Sequence, residues 1–305
     1  MKVLHIVAGN LSGGAARGAY WLHQGLLDQG VDSKIYTSSR TTLNDDTVIS
    51  TFTTNKNKIT TIFFALIDQL STIFYRKRKR LIFSTGMIGH DFTESAEYKE
   101  ADIINLHWIN DGLVNIRHLS KIVDKPIVWT MRDMWPMTGG CHYTMGCENF
   151  KKGCGQCPQL NSQSRLDLSR LVLNHKKKYL SEKINLVGIS EWLVEQAQES
   201  ELFKNFDIRT IHNCINIETF FPVDKQVARQ LLGIKTEKKV VLVGSINTGD
   251  FYKGFSQYLD AIKLLDKNKF HLCFFGGLDL ALASSTGLEF TSLGYLQDNI
   301  SMRLA

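Results

Sequence analysis

The sequence predicts a doubly wound α/β protein, and three observations predict it. Short apolar runs alternate with helix-like segments along the whole chain. Some runs are apolar at every position, as in Val240, Val241, Leu242 and Val243, which suits parallel strands covered on both faces. The 305 residues, 43% hydrophobic and 22% charged, are enough for about two globular domains. In such a sheet, ligands bind in the crevice outside the carboxyl ends of the strands.

Strands are expected at 2–8, 34–37, 103–107, 127–130, 186–189, 209–212, 239–244 and 271–275. Most are short runs of β-branched, leucine or aromatic residues. Helices are expected at 15–29, 57–75, 113–123, 164–182, 190–200, 224–232, 255–266 and from 298 onward. There the apolar residues recur at spacings of three and four. The first helix follows Gly13 and Gly14, the second runs into a basic stretch, and the last opens at Asp298. Residues 213–222 leave a strand through a loop, and the polar stretch 233–239 leads into a new buried strand. The domains are therefore drawn as 1–215 and 216–305.

The chain carries 36 Lys and Arg against 30 Asp and Glu, a net +6. Five of these cations are consecutive, Arg76, Lys77, Arg78, Lys79 and Arg80. Without them the balance is +1 (+6 less 5), so no general affinity for nucleic acid is implied. The opening MKVLHIVAG has one lysine and a short apolar run broken by His5; it reads as a strand, not a secretion signal. No apolar stretch is long enough for a membrane-spanning helix.

Two glycine loops follow strands. The first contains Gly9, Gly13, Gly14 and Gly18, with Gly13 and Gly14 directly before a helix. Glycine there lets the backbone approach a ligand, and the free N–H groups of the helix suit an anion. A simple tight turn is the plainer reading. The spacing fits neither the dinucleotide fingerprint nor the P-loop, whose lysine is missing. The second loop, 243–255, brings Lys253 and Gly254 to a helix start, where a lysine can hold a diphosphate or simply be solvated. One loop per domain suggests a ligand held between the domains.

Cys141, Cys147, Cys154 and Cys157 have the spacing C-x5-C-x6-C-x2-C within a long glycine-rich loop, 134–161. Four thiolates complete a tetrahedral zinc shell, and a metal would supply the constraint such a loop lacks. This zinc is read as structural, because a full sulfur shell leaves no open position. An iron–sulfur cluster, free thiols or a redox pair are the alternatives. Cys214 and Cys273 are expected as buried free thiols.

The segment 59–80 joins an apolar helix to the basic run. Ile59, Ile62, Phe63, Leu66, Ile67, Leu70, Ile73 and Phe74 recur at helical spacing. Contact with an anionic membrane surface is one reading. A core-facing helix with a solvated basic end is the other, and the balance tips toward it.

Several of these segments together resemble one family. They are residues 12–15 (SGGA), 129–143 (WTMRDMWPMTGGCHY), 153–159 (GCGQCPQ), His212 with Asn213, and Lys253 with Gly254. The chain resembles glycosyltransferase family 4, of GT-B fold, and most of all bacterial enzymes of colanic-acid and other surface-polysaccharide pathways. The likeness runs from residue 1 to the end, and 129–143 with its cysteine loop is its most specific part.

The resemblance implies two Rossmann-like domains that close over a nucleotide-sugar, UDP- or GDP-linked. It implies retaining transfer of the sugar to a glycan or lipid-linked acceptor, with no catalytic metal. The acceptor would sit mainly on the first domain and the nucleotide on the second. The enzyme would be cytoplasmic, with peripheral contact to the inner face of the membrane through 59–80. Gly13 and Gly14 match the loop that approaches the donor diphosphate and the acceptor. Lys253, beside Gly254, matches the residue that neutralises the leaving diphosphate. Ser245 stands where the family often has an arginine, so one expected charge is missing. Arg132, followed by Asp133, stands where many members have a histidine. His107, after the preceding strand, is a further candidate at the crevice. In such transfer the leaving diphosphate can assist the incoming hydroxyl, so the protein supplies positioning and charge.

The family's second domain carries a glutamate pair, E-x7-E, beyond 293–296, and this sequence does not reach it. The implication is an incomplete second domain, a C-terminal truncation that puts turnover by these 305 residues in question. The competing reading is a non-catalytic, membrane-associated, zinc-containing module that binds the acceptor glycan. A zinc-dependent nucleic-acid binder is set aside, because the cysteines and the basic run are far apart on a nearly neutral chain.

Overall fold

The computed structural model describes residues 1–305 apart from 12, 39–44, 52–54, 246–250, 278–282, 285 and 297. The chain divides into two compact units, Met1–Cys214 and Ile215–Ala305. The first unit is built on seven strands: β1 (Lys2–Ile6), β2 (Asp32–Thr37), β3 (Val48–Ser50), β4 (Ile103–Leu106), β5 (Ile127–Met131), β6 (Asn185–Gly188) and β7 (Ile208–Thr210). Their order is β3-β2-β1-β4-β5-β6-β7, and every neighbouring pair is parallel. The order reverses between β1 and β4, where Ile6 faces Leu106. The crevice of this sheet therefore opens at the carboxyl ends of those two strands.

Parallel pairs require crossovers, and helices supply most of them. They are α1 (Gly14–Asp28), α2 (Asn55–Leu70), α3 (Ala96–Glu100), α4 (Leu168–Tyr179) and α5 (Glu191–Glu199). The caps are polar side chains where the sequence provides them. Asp167 accepts from the Ser169 and Arg170 N–H groups at the start of α4, and Ser190 accepts from Leu193 at the start of α5. Leu4, Ile6, Ile104, Leu106 and Trp129 form the buried centre of the sheet. The two core indoles are satisfied: Trp129 donates to the His107 carbonyl at 3.1 Å and Trp135 to that of Ser84 at 2.8 Å. Truncating either to alanine would cost roughly 3–5 kcal/mol.

The second unit has a three-stranded parallel sheet of β8 (Lys239–Ser245), β9 (Phe270–Gly276) and β10 (Phe290–Ser292), ordered β10-β9-β8. It carries α6 (Lys225–Leu231), α7 (Phe255–Ile262) and α8 (Asn299–Leu304). Phe255, Leu259 and Ile262 of α7 pack on Leu272 and Phe274 of β9 as its core.

Each expected strand is present with shifted ends, and β3, β10 and α3 are additional short elements. The helix expected at 113–123 is instead a 3₁₀ segment, Ile116–Lys121. Val114 bridges to His90, and Asn115 caps the segment through the Arg117 N–H. Burial of Ile116 and Leu119, three apart, suits the tighter period. The second helix stops at Leu70 rather than 75, because the Ser71 and Thr72 hydroxyls donate to the Asp68 and Gln69 carbonyls. Among the described residues, no helix is long and apolar enough to cross a membrane.

Candidate active site

A chain of hydrogen-bonded groups crosses the carboxyl ends of β1, β4 and β5. His5 lies within β1, His107 follows β4 and Arg132 follows β5. Arg132 Nη2 stands 3.3 Å from His107 Nδ1, and His107 Nε2 stands 2.9 Å from His5 Nδ1. A guanidinium only donates, so His107 Nδ1 accepts and its proton sits on Nε2, aimed at His5. Burial, then His5 and Arg132 beside it, hold His107 well below the ordinary imidazole range. Burial first, then His23 and Arg132, pull His5 down to about 3. Both rings are therefore neutral near pH 7. Burial pulls Arg132 to about 10, so it remains a cation there.

Arg132 also donates from Nη1 to Asn213, beyond β7, while its Nε has no hydrogen-bond partner. On α1, a Cβ added at Gly18 would lie 2.5 Å from Arg132 Nη1. Only glycine lets the guanidinium pass the helix at that distance. Gly13 and Gly14 differ. Gly13 is the N-cap with φ −73°, and a Cβ on either residue would meet nothing within 4 Å. Neither strain nor packing demands glycine there, and Gly13 brings no side-chain cap to the start of α1. Ser12 lies outside the described residues.

Asp133 enters a different network. Its Oδ2 accepts from His142 Nδ1 at 2.6 Å and Trp108 Nε1 at 3.0 Å, and its Oδ1 from the Trp135 N–H at 2.9 Å. His142 is buried, with Ser84 Oγ 3.1 Å from its Nε2. Trp108 and Ser84 also line a cavity of about 790 Å³, together with Asp68, Asp111, Arg76 and Arg80.

Helix α2 forms one wall of that cavity and is turned inside out. Its buried residues include Thr61 and Asp68. Thr61 donates to the Asn57 carbonyl at 2.9 Å, and Asp68 accepts from the Thr85 N–H and hydroxyl. Ile59, Ile62, Phe63, Leu66 and Leu70 are exposed, as are Ile73 and Phe74 just beyond, the last at 88%. The core-facing reading of this helix is thereby corrected: polar anchors hold it, and its apolar stripe faces out.

In the second unit, Lys253 ends a 3₁₀ turn, Phe251–Lys253, and Gly254 caps α7 with φ +69°. Glycine is favoured there by the left-handed backbone. The Ser245 side chain and residues 246–250 lie outside the described residues. Cys141, Cys147, Cys154 and Cys157 lie on the strap between β5 and α4. Among the described residues, no group of three or more His, Cys, Asp or Glu stands in a metal-holding arrangement. Cys273 is buried as expected, but Cys214 is exposed, because it lies past the end of β7.

Solved structures share this architecture. A glycosyltransferase from Rickettsia africae aligns at TM-score 0.52 and 15% identity, over 99% of this chain and 70% of that one. WaaG, a glycosyltransferase involved in lipopolysaccharide biosynthesis, aligns at TM-score 0.55 and 15% identity, over 99% and 72%. HepE of Anabaena, solved with UDP and glucose, aligns at TM-score 0.51 and 14% identity, over 100% and 72%. The chain has the GT-B fold. Within this GT-B chain, a 90-residue stretch is 32% identical to the putative colanic acid biosynthesis glycosyl transferase WcaC of Escherichia coli (strain K12). That stretch is 28% of the chain and 22% of the length of WcaC, so the match spans less than a quarter of that relative. No family model matches the chain.

On the GT-B frame, the first unit brings together Gly18, His5, His107, Arg132 and Asn213, of which sequence reading had not picked out His5 or Gly18. A histidine inside an otherwise apolar strand was the available signal for His5. Gly18 was noted only as a member of the first glycine loop, because only the folded helix shows that Arg132 passes over it.

Proposed function

We propose that the chain transfers a sugar from a UDP- or GDP-linked donor to a glycan or lipid-linked acceptor in polysaccharide biosynthesis, with retention at the anomeric carbon. The observation that carries this reading is Arg132: a half-buried cation at the crevice, oriented by neutral His107 and by Asn213, with an unpartnered Nε. In the proposed step the acceptor oxygen bonds to the anomeric carbon on the face from which the diphosphate leaves. The carbon–oxygen bond to the phosphate breaks with its electron pair, and the hydroxyl proton passes to the departing diphosphate. Arg132 opposes the charge that develops, while the Gly13 and Gly14 backbone allows close approach. His107 and Asp133 act through position, because their polar atoms are already engaged.

Support for the donor class comes from HepE, which was solved with UDP-glucose as well as with UDP and glucose. Support for a lipid-side acceptor comes from the cavity, where Arg76, Arg78 and Arg80 line the same space as Leu66 and Leu70 of α2. The test is incubation with UDP- and GDP-sugars and a lipid-linked acceptor, with the product's anomeric configuration read by NMR. Transfer with retention is expected. Acceptor binding without nucleotide binding would instead make the chain a non-catalytic module.

We also infer that the outward stripe of α2 rests on an anionic membrane surface, with residues 76–80 against the headgroups. Apolar exposure beside clustered cations suits that interface. Salt-sensitive sedimentation with anionic vesicles is expected, and it should drop when Phe63 and Phe74 are changed to serine. Equal binding to neutral vesicles, or none to either, would end this inference.

A further inference from the structure

The basic run at 76–80 is sorted by residue type. Arg76, Arg78 and Arg80 all line the cavity of about 790 Å³ beside α2, and Lys77 and Lys79 do not. Lys79 lines a separate cavity of about 190 Å³. The difference matters chemically. A guanidinium presents a planar fork of donors that matches phosphate oxygens in pairs, whereas an ammonium is a strongly hydrated point charge. Three forks on one cavity suit a phosphate group held in place, which diffuse attraction to a surface does not require.

The run is fixed to the fold. The Arg78 N–H donates to the Tyr75 carbonyl at 3.0 Å, and the Lys79 N–H to that of Gln159 at 2.8 Å. The Tyr75 hydroxyl accepts from the Leu168 N–H at 2.9 Å. Arg78 Nη1 reaches the Lys79 and Leu81 carbonyls only at 3.5 and 3.4 Å. Among the described residues, none of the three arginines is in an ion pair. Their charge is uncompensated and their backbone already ordered, so an anion gains the attraction without first ordering the segment.

The cavity also joins two unlike surfaces. Leu66, Leu70 and Ile73 line it and belong to the exposed apolar stripe. Trp108 and Asp111, from the loop after β4, line it as well. Trp108 follows His107, and its Nε1 donates to Asp133, the neighbour of Arg132. The cavity therefore reaches from the outward stripe of α2 to a residue bonded beside the crevice. Of its two acids, Asp68 is engaged by the Thr85 N–H and hydroxyl. Asp111 can accept from sugar hydroxyls, and an indole offers an apolar face to a sugar ring. The volume lies within the roughly 300–1,000 Å³ of pockets that enclose a small ligand.

We propose that this cavity takes the head group of an amphiphilic acceptor, a saccharide joined through a phosphate or diphosphate to an apolar chain. Arg76, Arg78 and Arg80 hold the phosphate. Leu66, Leu70 and Ile73 meet the start of the chain, and Trp108 with Asp111 meets the sugar. Lys77 and Lys79 are left to the anionic surface around it. This assignment rests on the lipid-linked acceptor proposed above, and gives it a linkage group and a site.

The test is calorimetric titration of the full chain with dodecyl diphosphate below its micelle concentration. Inorganic diphosphate supplies the charge alone, and dodecyl maltoside an uncharged chain with sugar. Dodecyl diphosphate should bind at least about tenfold tighter than either. Changing Arg76, Arg78 and Arg80 together to lysine keeps the net charge. It should weaken dodecyl diphosphate at least about tenfold and leave sedimentation with anionic vesicles in place. Lys77→Gln with Lys79→Gln should do the reverse. Equal affinity in the arginine-to-lysine variant overturns the site, as does inorganic diphosphate or dodecyl maltoside binding as tightly as dodecyl diphosphate. Where that variant does not fold, the three probes on the native chain decide. Turnover is read separately. Sugar transfer whose acceptor KM ignores the three arginines would sink the site and leave the transferase standing. Tight, arginine-dependent binding of dodecyl diphosphate without transfer would do the opposite.

Discussion

Arg132 and Asp133 are neighbours in sequence at the end of one strand, yet they serve different networks. Arg132 keeps a free Nε and is steered by two neutral histidines and Asn213. Asp133 has both oxygens engaged by Trp108, the Trp135 N–H and His142. One charge is presented, and the other is spent on structure. The difference teaches that residue type at a crevice does not decide its role; the remaining hydrogen-bond capacity does. The two substitutions should therefore fail in different ways.

Arg132→Ala should give the largest effect. Loss of one charge-stabilising donor costs about 10²–10³ in rate. The comparison predicts a fall of that order in kcat/KM with near-native stability in urea. Arg132→Lys should recover only part of it, because a point charge cannot meet His107, Asn213 and a ligand together. An unchanged kcat/KM would remove Arg132 from the site. Asp133→Asn should invert the pattern. It should lose about 1.5–3 kcal/mol of stability, the usual worth of a hydrogen bond to a charged group, with a smaller loss of rate. If rate collapsed while stability held, Asp133 would belong with Arg132.

Much of the frame behind this comparison was legible in the sequence. The eight expected strands announce themselves as short apolar runs, but among the described residues the cover expected on both faces of Val240–Val243 is not found, since β8 is an edge strand and Leu242 is exposed. The short β3 and β10 do not announce themselves, since three residues make no pattern. The helix expected at 113–123 shows apolar spacing losing to tertiary pairing: His90 claims Val114, and only a 3₁₀ turn remains. For α2 the period was read correctly, but period does not say which face is buried. Its buried Asp68 and Thr61 decide that through partners at Thr85 and His90, beyond the helix itself. At the site, Arg132 and His107 were legible as strand-end residues. Their division of labour from Asp133 was not, because it depends on Trp108 and His142 brought in from other loops.

The neutral histidines sharpen the comparison through pH. His5 has a folded pKa of about 3 against an ordinary 6.5, and His107 is lowered in the same direction. Below about pH 6.5 the unfolded chain takes up protons that the folded chain refuses. Stability is thus fully present above that pH and is lost as pH falls toward 3. Each such histidine adds a slope of up to about 1.4 kcal/mol per pH unit. His5→Gln should flatten the fall in urea midpoint between about pH 6.5 and 4.5 by one proton's worth. An identical slope would mean that His5 charges in the folded state, and that Arg132 is not held by a neutral chain.

The smallest expected change is also the most selective. Gly18 lies within α1, where alanine is favoured over glycine by about 1 kcal/mol. Its added methyl would meet Arg132 Nη1 at 2.5 Å, at the flexible end of a side chain. The fold should accommodate Gly18→Ala by moving the guanidinium, so stability should hold or rise. Transfer should fall about tenfold, which corresponds to about 1.4 kcal/mol of lost transition-state stabilisation. A variant that is more stable and less active separates the placement of the Arg132 charge from the integrity of the sheet beneath it. Full activity with raised stability would show that the position of the guanidinium over α1 is incidental. Arg132 would then have to act from wherever its side chain settles, and the contrast with Asp133 would lose its geometric basis.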